Sequence, residues 1–322
     1  MDWLRRGFLL LALVLAGCSD QPFDVASSST SISGKRDAEP AGFQPVSISN
    51  ASPRIREEIT VASWNIQVLG ESKIEQPEVM EVVVDVVRRF DVIAIQELRA
   101  KDQTFAERFL SRVNSDGSKY DVVVGPRLGR TNSKEQYLYL YDTNRIELID
   151  GSVYTIHDQL DLLHREPLVA SFRVIGALSG TPWNFTLVNI HTDPDEVDEE
   201  VDVLDDVIRL VRDTDSEDDV ILLGDLNAAP QHFGELAEMP NLMWTIAGNP
   251  TNTRGTKSYD NILFSGTTTT EFTGVAGVLD LQSDYALTQQ EAIRVSDHLP
   301  VWAAFAPVEQ TARVASGVGN RR

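Results

Sequence analysis

The sequence predicts an α/β fold in which two packed, mainly antiparallel sheets are flanked by helices. Short β-rich runs recur along the chain, whereas clear helical periodicity is confined to two segments. Many strands with few helices are typical of sheets that pack on each other and are covered by helices. The 322 residues, 42% of them apolar, are sufficient to bury one large core.

Nine runs rich in β-branched and aromatic residues are predicted as strands, because polar or turn-forming residues bound each of them. They are residues 59–64, 92–96, 120–124, 137–141, 168–174, 185–190, 220–223, 262–264 and 301–305. Some runs alternate apolar and polar residues and others are continuously apolar. This mixture predicts strands with one buried face beside strands that are buried on both faces.

Two segments have the spacing of an amphipathic helix. Apolar residues recur at i, i+3, i+4 and i+7 from Val79 to Val87, and again from Val197 to Val211. The second segment carries acidic residues on its opposite face, which is predicted to be solvated. These residues are Glu199, Glu200, Asp205 and Asp206.

The first residues have the features of an export signal. Arg5 and Arg6 precede an apolar run over residues 7–16, which is shorter than the roughly 20 residues that a membrane-spanning helix needs. The run ends in Leu15-Ala16-Gly17-Cys18, which resembles a bacterial lipoprotein box. The resemblance implies that Cys18 is acylated and anchors the protein in the cell envelope, in the outer membrane rather than the inner. A plain secretory signal is the alternative.

Composition divides the rest of the chain. The stretch after Cys18 is rich in Ser, Pro and Gly and cannot bury enough apolar surface to offset the entropy of ordering, which predicts a flexible tether. The predicted parts are a signal peptide (1–17), the lipidated tether (18–57), one catalytic domain (58–307) and a polar tail (308–322). Cys18 is the only cysteine, so an intramolecular disulfide is excluded.

Polar residues stand at the ends of the predicted strands in six places. These endings are Asn65, Gln96-Glu97, His191, Asp225-Leu226-Asn227, Tyr259-Asp260 and Asp297-His298. Each alone could be a turn. Together they supply hard oxygen ligands suited to Mg²⁺ or Ca²⁺ and two histidines suited to proton transfer. The formal net charge of −21 argues against broad attraction to phosphates, so a nucleic-acid enzyme would have to recruit cations or concentrate its arginines at one site.

The motifs also carry a family resemblance. Trp64-Asn65-Ile66, Gln96-Glu97, Gly224-Asp225-Leu226-Asn227 and Ser296-Asp297-His298-Leu299-Pro300 resemble the endonuclease/exonuclease/phosphatase superfamily. Residues 65–73, 96–99, 128–130, 134–138 and 165–167 are similar to deoxyribonuclease I in particular. The resemblance implies a four-layered α/β sandwich and a metal-dependent endonuclease that cuts DNA to leave 5′-phosphate ends.

The resemblance assigns roles by position. It implies that His191 and His298 are the general acid and base and that Glu135 and Asp260 orient them. The implied metal ligands are Asn65, Glu97, Asp225 and Asp297, and the implied substrate contacts are Arg99, Arg165, Asn227 and Tyr259. Mg²⁺ is the expected ion, with Ca²⁺ and Mn²⁺ as alternatives. DNA is the expected substrate, and the lipid anchor at Cys18 is expected to attach the protein to the membrane. No protein partner is implied, and a monomer is expected.

Departures from deoxyribonuclease I leave alternatives open. Gln67 and Asn261 stand where it has arginines, and Ser133 stands where it has a DNA-contacting tyrosine. Fewer phosphate contacts predict a weaker grip on duplex DNA, so strand preference stays open. The alternative functions are a phospholipid or inositol-phosphate phosphodiesterase of the same superfamily and a catalytically inactive binding module.

The separation between Cys18 and the first motif at Asn65 generates a prediction. Cys18→Ala is expected to leave a soluble, unacylated protein whose phosphodiesterase activity is unchanged, because the tether places no residue in the site. Membrane fractionation and an activity assay would check this. A folded but inactive Cys18→Ala protein would show that the tether has a catalytic role.

Overall fold

A computed structural model describes residues 57–132, 134–176, 179–215 and 217–310. The signal segment, Cys18, the tether up to residue 56, Ser133 and the tail from residue 311 lie outside the described residues. Among the residues that are described, no helix is both long and apolar enough to cross a bilayer.

The described chain contains thirteen strands and six α-helices. The strands are β1 (Ile59–Leu69), β2 (Val92–Leu98), β3 (Tyr120–Val124), β4 (Gln136–Asp142), β5 (Ile146–Leu148), β6 (Tyr154–Thr155), β7 (Leu168–Val174), β8 (Asn184–His191), β9 (Val220–Asp225), β10 (Leu242–Trp244), β11 (Asp260–Ser265), β12 (Phe272–Val278) and β13 (Val301–Phe305). The helices are α1 (Glu71–Ile74), α2 (Pro77–Arg88), α3 (Phe105–Val113), α4 (Val197–Asp215), α5 (Leu281–Tyr285) and α6 (Gln289–Val295).

The strands form two mixed sheets. The first has the order β12-β13-β1-β2-β4-β3, and the second has the order β10-β11-β9-β8-β7-β5, with β6 paired to β7. Each sheet contains one parallel pair, β1 with β2 and β8 with β9, and every other pairing is antiparallel. The two crossovers run through α2 and α4, the two helices that the apolar periodicity predicts.

Three apolar layers separate the four layers of secondary structure. The central layer lies between the sheets, where Trp183 stacks on Phe185 and Phe305 with ring centroids 4.2 and 4.9 Å apart. A second layer packs α2 and its neighbouring helices on the outer face of the first sheet, and a third packs α4 on the second sheet. The predicted four-layered α/β sandwich is therefore confirmed.

All nine predicted strands are present; six of them are two to five residues longer than predicted, and three have the predicted bounds. The sequence did not predict β5, β6, β10 and β12, nor the helices α1, α3, α5 and α6. The missed strands are short or carry weak apolar patterns, as in β12, where Gly274 and Gly277 interrupt the run. Their pairing with longer strands, rather than their own propensity, holds them in the sheet.

The prediction of a solvated acidic face on α4 is wrong for two of its four residues. Glu200 is fully buried, and its carboxylate accepts hydrogen bonds from the backbone N–H groups of His164 and Asp193. Asp205 is also buried and pairs with Arg209. Helical periodicity identifies the apolar face of α4. It does not show that the loop before β7, which carries His164, covers part of the polar face.

Gly224, next to the last residue of β9, is required by the close approach of β8. Its φ is +155°, and an added Cβ would lie 1.8 Å from the backbone oxygen of Ile190. That oxygen belongs to the neighbouring strand, so it cannot move without displacing the strand ends that carry His191 and Asp225. The glycine of the Gly-Asp-Leu-Asn motif thus permits the two strands to pair up to their ends.

We expect Gly224→Ala to lower the free energy of unfolding by about 3 kcal/mol or more, because a backbone clash has no side chain that can give way. Gly70→Ala is the matched control, since its backbone is extended and the nearest atom to an added Cβ is 3.7 Å away. The control should change stability by less than about 1 kcal/mol. Denaturant unfolding would measure both, and equal stabilities would show that β8 and β9 are not constrained here.

Candidate active site

Polar side chains cluster at one end of the sandwich because the strand registers place their ends side by side. In the parallel pair of β1 and β2, Asn65 lies opposite Gln96. In the second sheet, His191 of β8 and Asp260 of β11 both lie opposite Asp225 of β9. The carboxyl ends of parallel strands are the usual ligand-binding end of an α/β sheet.

A β-bulge directs Glu97 toward the same end. The register of β1 and β2 shifts between Asn65 and Leu69, so that three residues of β1 lie against Glu97 of β2. Glu97 has a φ of 63°, a left-handed conformation that non-glycine residues rarely adopt. The Val68 N–H donates a hydrogen bond to Glu97 Oε2 at 2.8 Å. Bulges near active sites commonly redirect a side chain in this way.

Two histidines face one buried carboxylate. The Nε2 atoms of His191 and His298 each lie 3.5 Å from Asp225 Oδ2. The Asn65 side-chain amide donates to the same oxygen at 3.0 Å, and the Asn227 N–H donates to Asp225 Oδ1 at 3.0 Å. A ligand bound against this edge of the Asp225 carboxylate would be within reach of both imidazoles.

A second carboxylate holds His191 from behind. Glu135 Oε1 lies 2.7 Å from His191 Nδ1 and 3.1 Å from Arg165 Nε. Arg165 also donates to the carbonyl of His191 and to that of the following residue, each at 3.0 Å. Arg99 Nη2 lies 3.5 Å from the other oxygen of Glu135 and 3.2 Å from Glu97 Oε2. Glu135 therefore fixes the imidazole orientation and links it to the two arginines.

The His298 side has an equivalent arrangement. Asp260 Oδ2 lies 2.9 Å from His298 Nδ1 and accepts a hydrogen bond from the Thr251 hydroxyl at 2.7 Å. Trp64 Nε1 donates to the His298 carbonyl at 3.0 Å, which fixes the backbone of the histidine. The Tyr259 ring is tilted against the imidazole, with centroids 6.0 Å apart.

The carboxylates stabilise the protonated form of both histidines. Burial alone would lower the pKa of His191, but Glu135 and Asp225 raise it above its ordinary value. Burial would also lower the pKa of His298, but Asp260 and Asp225 raise it strongly. In return, although burial opposes it, the two histidines hold the pKa of Asp225 below its ordinary value. The site thus consists of two carboxylate–imidazole pairs that share a third carboxylate.

The donor chemistry of the site fits a divalent cation. Two groups of side chains bring ligand atoms within 4.8 Å of one another. They are Glu97, Glu135 and His191, and Asp225, Asp260 and His298. Asn65 joins the two groups, because its amide nitrogen lies 3.2 Å from Glu97 Oε1 and 3.0 Å from Asp225 Oδ2. Carboxylate and amide oxygens are the ligands that Mg²⁺, Ca²⁺ and Mn²⁺ prefer.

The twelve predicted site residues within the domain lie at this end of the sandwich, but two have surroundings that differ from the expected ones. Arg165 is only 5% exposed, and its contacts to Glu135 and two backbone carbonyls are those of a supporting residue rather than of a phosphate contact. Asp297 lies beside His298 but belongs to neither group of ligand atoms. Its negative charge acts to raise the pKa of Lys73 and that of His298.

The structure also shows the surroundings of two residues at which the sequence differs from deoxyribonuclease I. Asn261 is buried, and its side-chain amide exchanges two hydrogen bonds with the backbone of Ile246, at 2.8 and 3.1 Å. It therefore fastens β11 to the chain after β10 instead of facing the site. Gln67 is partly exposed beside the bulge, where its carbonyl accepts a hydrogen bond from Lys73.

Sequence reasoning missed the supporting contacts. Thr251 holds Asp260 from a loop, and no local pattern marks it. Gln96 Nε2 donates to Asn189 Oδ1 at 2.7 Å and to Ser63 Oγ at 3.0 Å. Asn189 lies on the other sheet, so this buried link joins the sheets below the site. The strand assignment placed these residues in the interior, where a buried polar side chain is the signal for such a link.

Comparison with known proteins agrees with this geometry. A model of the Endonuclease/Exonuclease/phosphatase family matches residues 62–298. The chain is 30% identical over 263 residues to deoxyribonuclease gamma of Rattus norvegicus, covering 76% of this chain and 83% of that protein. It is 31% identical over 253 residues to deoxyribonuclease-1-like 1 of Homo sapiens, covering 75% and 82%.

A solved structure shares the fold at lower identity. The human Nocturnin catalytic domain, solved with a bound sulfate anion, superposes with a TM-score of 0.51 and 18% identity, covering 78% of this chain and 95% of that one. At this identity the likeness supports the sandwich fold alone. Since the family model covers most of the described domain, the protein belongs to the Endonuclease/Exonuclease/phosphatase family, close to the deoxyribonuclease I group.

Proposed function

We propose that this phosphodiesterase is a metal-dependent endonuclease that hydrolyses DNA and leaves 5′-phosphate ends. The observation that carries the proposal is the pair of histidines, each held by its own buried carboxylate, with both Nε2 atoms 3.5 Å from Asp225 Oδ2. Hydrolysis of a phosphodiester needs a base for the attacking water and an acid for the leaving oxygen, and two opposed imidazoles can supply both.

The surroundings of the histidines favour one division of labour. The pKa of His298 is raised by Asp260 and Asp225, and that of His191 by Glu135 and Asp225. Arg165, a buried cation, lowers the pKa of His191, whereas Asp297 adds to the two carboxylates that raise the pKa of His298. We therefore infer that His191 loses its proton first and accepts a proton from water, whereas His298 donates a proton to the leaving O3′.

The remaining side chains bind and orient the phosphate. Arg99 is 31% exposed in its side chain and lies at the edge of the site, so it can turn its guanidinium toward a phosphate oxygen. Asn227 has a φ of 48° and is held by its hydrogen bond to the Thr192 carbonyl at 2.9 Å. Tyr259 is placed to contact the sugar or base next to the cleaved bond. Arg165 keeps Glu135 ionised and in place.

Glu97, Asn65 and Asp225 are the residues proposed to hold the cation. When bound there, a divalent cation would offset the charge on the phosphoryl oxygens. The bulge positions Glu97 before any ion arrives, because Val68 N–H and Arg99 already fix Glu97 Oε2. Burial of the site keeps water away from these charges and strengthens their interactions.

A comparison of substrates tests the proposed function. The chain should convert supercoiled plasmid to nicked and linear forms in Mg²⁺, should leave 5′-phosphates, and should not release phosphocholine from sphingomyelin vesicles. The opposite preference would identify a phospholipid phosphodiesterase. Binding of DNA with no cleavage in any of Mg²⁺, Ca²⁺ and Mn²⁺ would identify an inactive binding module.

Chelation and one substitution test the metal. EDTA should abolish plasmid cleavage, and Glu97→Ala should raise the Mg²⁺ concentration for half-maximal rate by roughly tenfold or more, because one hard ligand is lost. Glu147→Ala removes an exposed glutamate of β5 and should leave this concentration unchanged. Full activity in EDTA would contradict the metal assignment.

Separate substitutions test the division of labour between the histidines. His191→Ala and His298→Ala should each lower the turnover rate by about 100-fold or more. Glu135→Gln should lower the pKa of His191 and shift the acidic limb of the pH–rate profile to lower pH. Asp260→Asn should lower the pKa of His298 and shift the alkaline limb to lower pH. Exchanged limbs would reverse the acid and base assignments.

Arg99→Ala is the matched control for this experiment. It should weaken DNA binding and flatten the dependence of affinity on salt, since one phosphate contact is removed. The limbs of its pH–rate profile should move less than those of Glu135→Gln and Asp260→Asn, because Arg99 contacts Glu135 and neither imidazole. Near-normal turnover of both histidine variants would contradict the proposed mechanism.

A further inference from the structure

A third acidic cluster lies at the other end of the sandwich, which we call the distal cluster. It consists of Asp219, Glu271 and Glu309, with one carboxylate oxygen of each within 4.8 Å of the others. Asp219 precedes β9, whose last residue is Asp225, so the length of β9 separates the cluster from the histidine pair. Six strand residues span roughly 20 Å.

Protein donors fix one oxygen of each carboxylate in the distal cluster. Trp183 Nε1 donates to Asp219 Oδ2 at 2.9 Å. The backbone N–H of Gln310 donates to Glu271 Oε1 at 2.6 Å, and that of Asn184 donates to Glu309 Oε1 at 2.9 Å. The three carboxylates are therefore oriented by the fold and are not merely neighbours on a surface.

The second oxygens of the two most buried members have no well-aligned partner among the residues that the structure describes. Asp219 is 4% exposed and Glu271 is 2% exposed. Among the described residues, Asp219 Oδ1 and Glu271 Oε2 are buried and have no partner in good hydrogen-bonding geometry. The buried Thr269 hydroxyl lies beside Asp219 and lowers its pKa, but it too has no described partner in good geometry. Buried polar atoms without partners are uncommon and commonly mark an absent water or ion.

The described residues give the distal cluster no compensating charge. Within the described part of the chain, no lysine, arginine or histidine forms an ion pair with any of its three carboxylates. Burial, and then the charge of Glu271, raise the pKa of Asp219 to about 8. Buried carboxylates are normally paired with a cation or coordinate one.

We propose that the distal cluster binds one Ca²⁺ ion through Asp219, Glu271 and Glu309, with the Thr269 hydroxyl as a further ligand. All of these donors are oxygens, which excludes a preference for soft metals. Ca²⁺ accepts six to eight oxygens in flexible geometry, whereas Mg²⁺ keeps several waters and uses one or two carboxylates. Three carboxylates and a hydroxyl from separate segments therefore favour Ca²⁺.

The position of the distal cluster indicates a structural role. Asp219 leads into β9 of the second sheet, whereas Glu271 leads into β12 of the first sheet. Glu309 follows β13, and its backbone N–H pairs with the Thr181 carbonyl before β8. An ion held by all three would join the two sheets at the end away from the histidines. This inference is independent of the proposed nuclease function.

Thermal unfolding of the full chain tests the proposal. At a Ca²⁺ concentration about 100 times the dissociation constant, the unfolding midpoint should rise by about 5 °C or more relative to EDTA. Asp219→Asn should reduce this rise to what Ca²⁺ binding at the histidine site contributes, and Asp219→Asn combined with Glu97→Ala should abolish it. Glu97→Ala, in the histidine site, should retain it. Calorimetric titration should count one Ca²⁺ fewer in Asp219→Asn than in the unsubstituted protein.

The stability in EDTA distinguishes an ion site from an ordinary hydrogen-bonding role. Asparagine keeps an acceptor for Trp183 Nε1 and cannot ionise beside Glu271 and Glu309, so Asp219→Asn should unfold at the same or a higher temperature in EDTA. A lower midpoint in EDTA, together with no Ca²⁺ response in the unsubstituted protein, would overturn the proposal. So would an undiminished rise in Asp219→Asn, or a larger rise with Mg²⁺ than with Ca²⁺ in the Glu97→Ala protein.

Discussion

The Asp225 carboxylate is the interaction on which the site's geometry depends. It is fully buried, and a buried charge is tolerated only when it is paired and hydrogen-bonded. Its partners come from both sheets: His191 lies on the neighbouring strand, Asn65 lies on β1, and His298 precedes β13. The ends of the two sheets must therefore meet at this carboxylate, and the two imidazoles meet with them.

The interior of the sandwich keeps the two sheets in that register. Stacked aromatic rings around Trp183 fill the space between them. Under the site, the Gln96 side chain bonds across the sheets to Asn189. Buried polar links of this kind restrict how two apolar surfaces slide, because a shift would leave their donors and acceptors unpaired. The strained Glu97 backbone lies directly above this link, where rigid surroundings can hold it in place.

The acidic balance of the chain is compatible with a phosphate-directed site because the relevant charges are local. Among the residues that approach the histidines, Arg99 and Arg165 supply fixed positive charge. The raised pKa values of both histidines favour their protonated forms, which add further positive charge. At physiological salt, charges farther away than about 8 Å are largely screened. The net charge of −21 thus weakens long-range attraction to DNA more than it affects binding at the site.

The sequence by itself determined nine of the thirteen described strands, the two long helices and the polar residues at the strand ends, because periodicity and strand-end chemistry are local properties. It also identified the residues of both carboxylate–imidazole pairs through their motifs. Only the tertiary structure decided that Arg165 supports Glu135, that Glu200 is buried, and that Asp219 meets Glu271 and Glu309. Those facts depend on contacts between residues far apart in the chain. The physical cause is that burial and pairing in the folded protein set the pKa and the contacts of an ionisable side chain, whereas its neighbours in sequence do not.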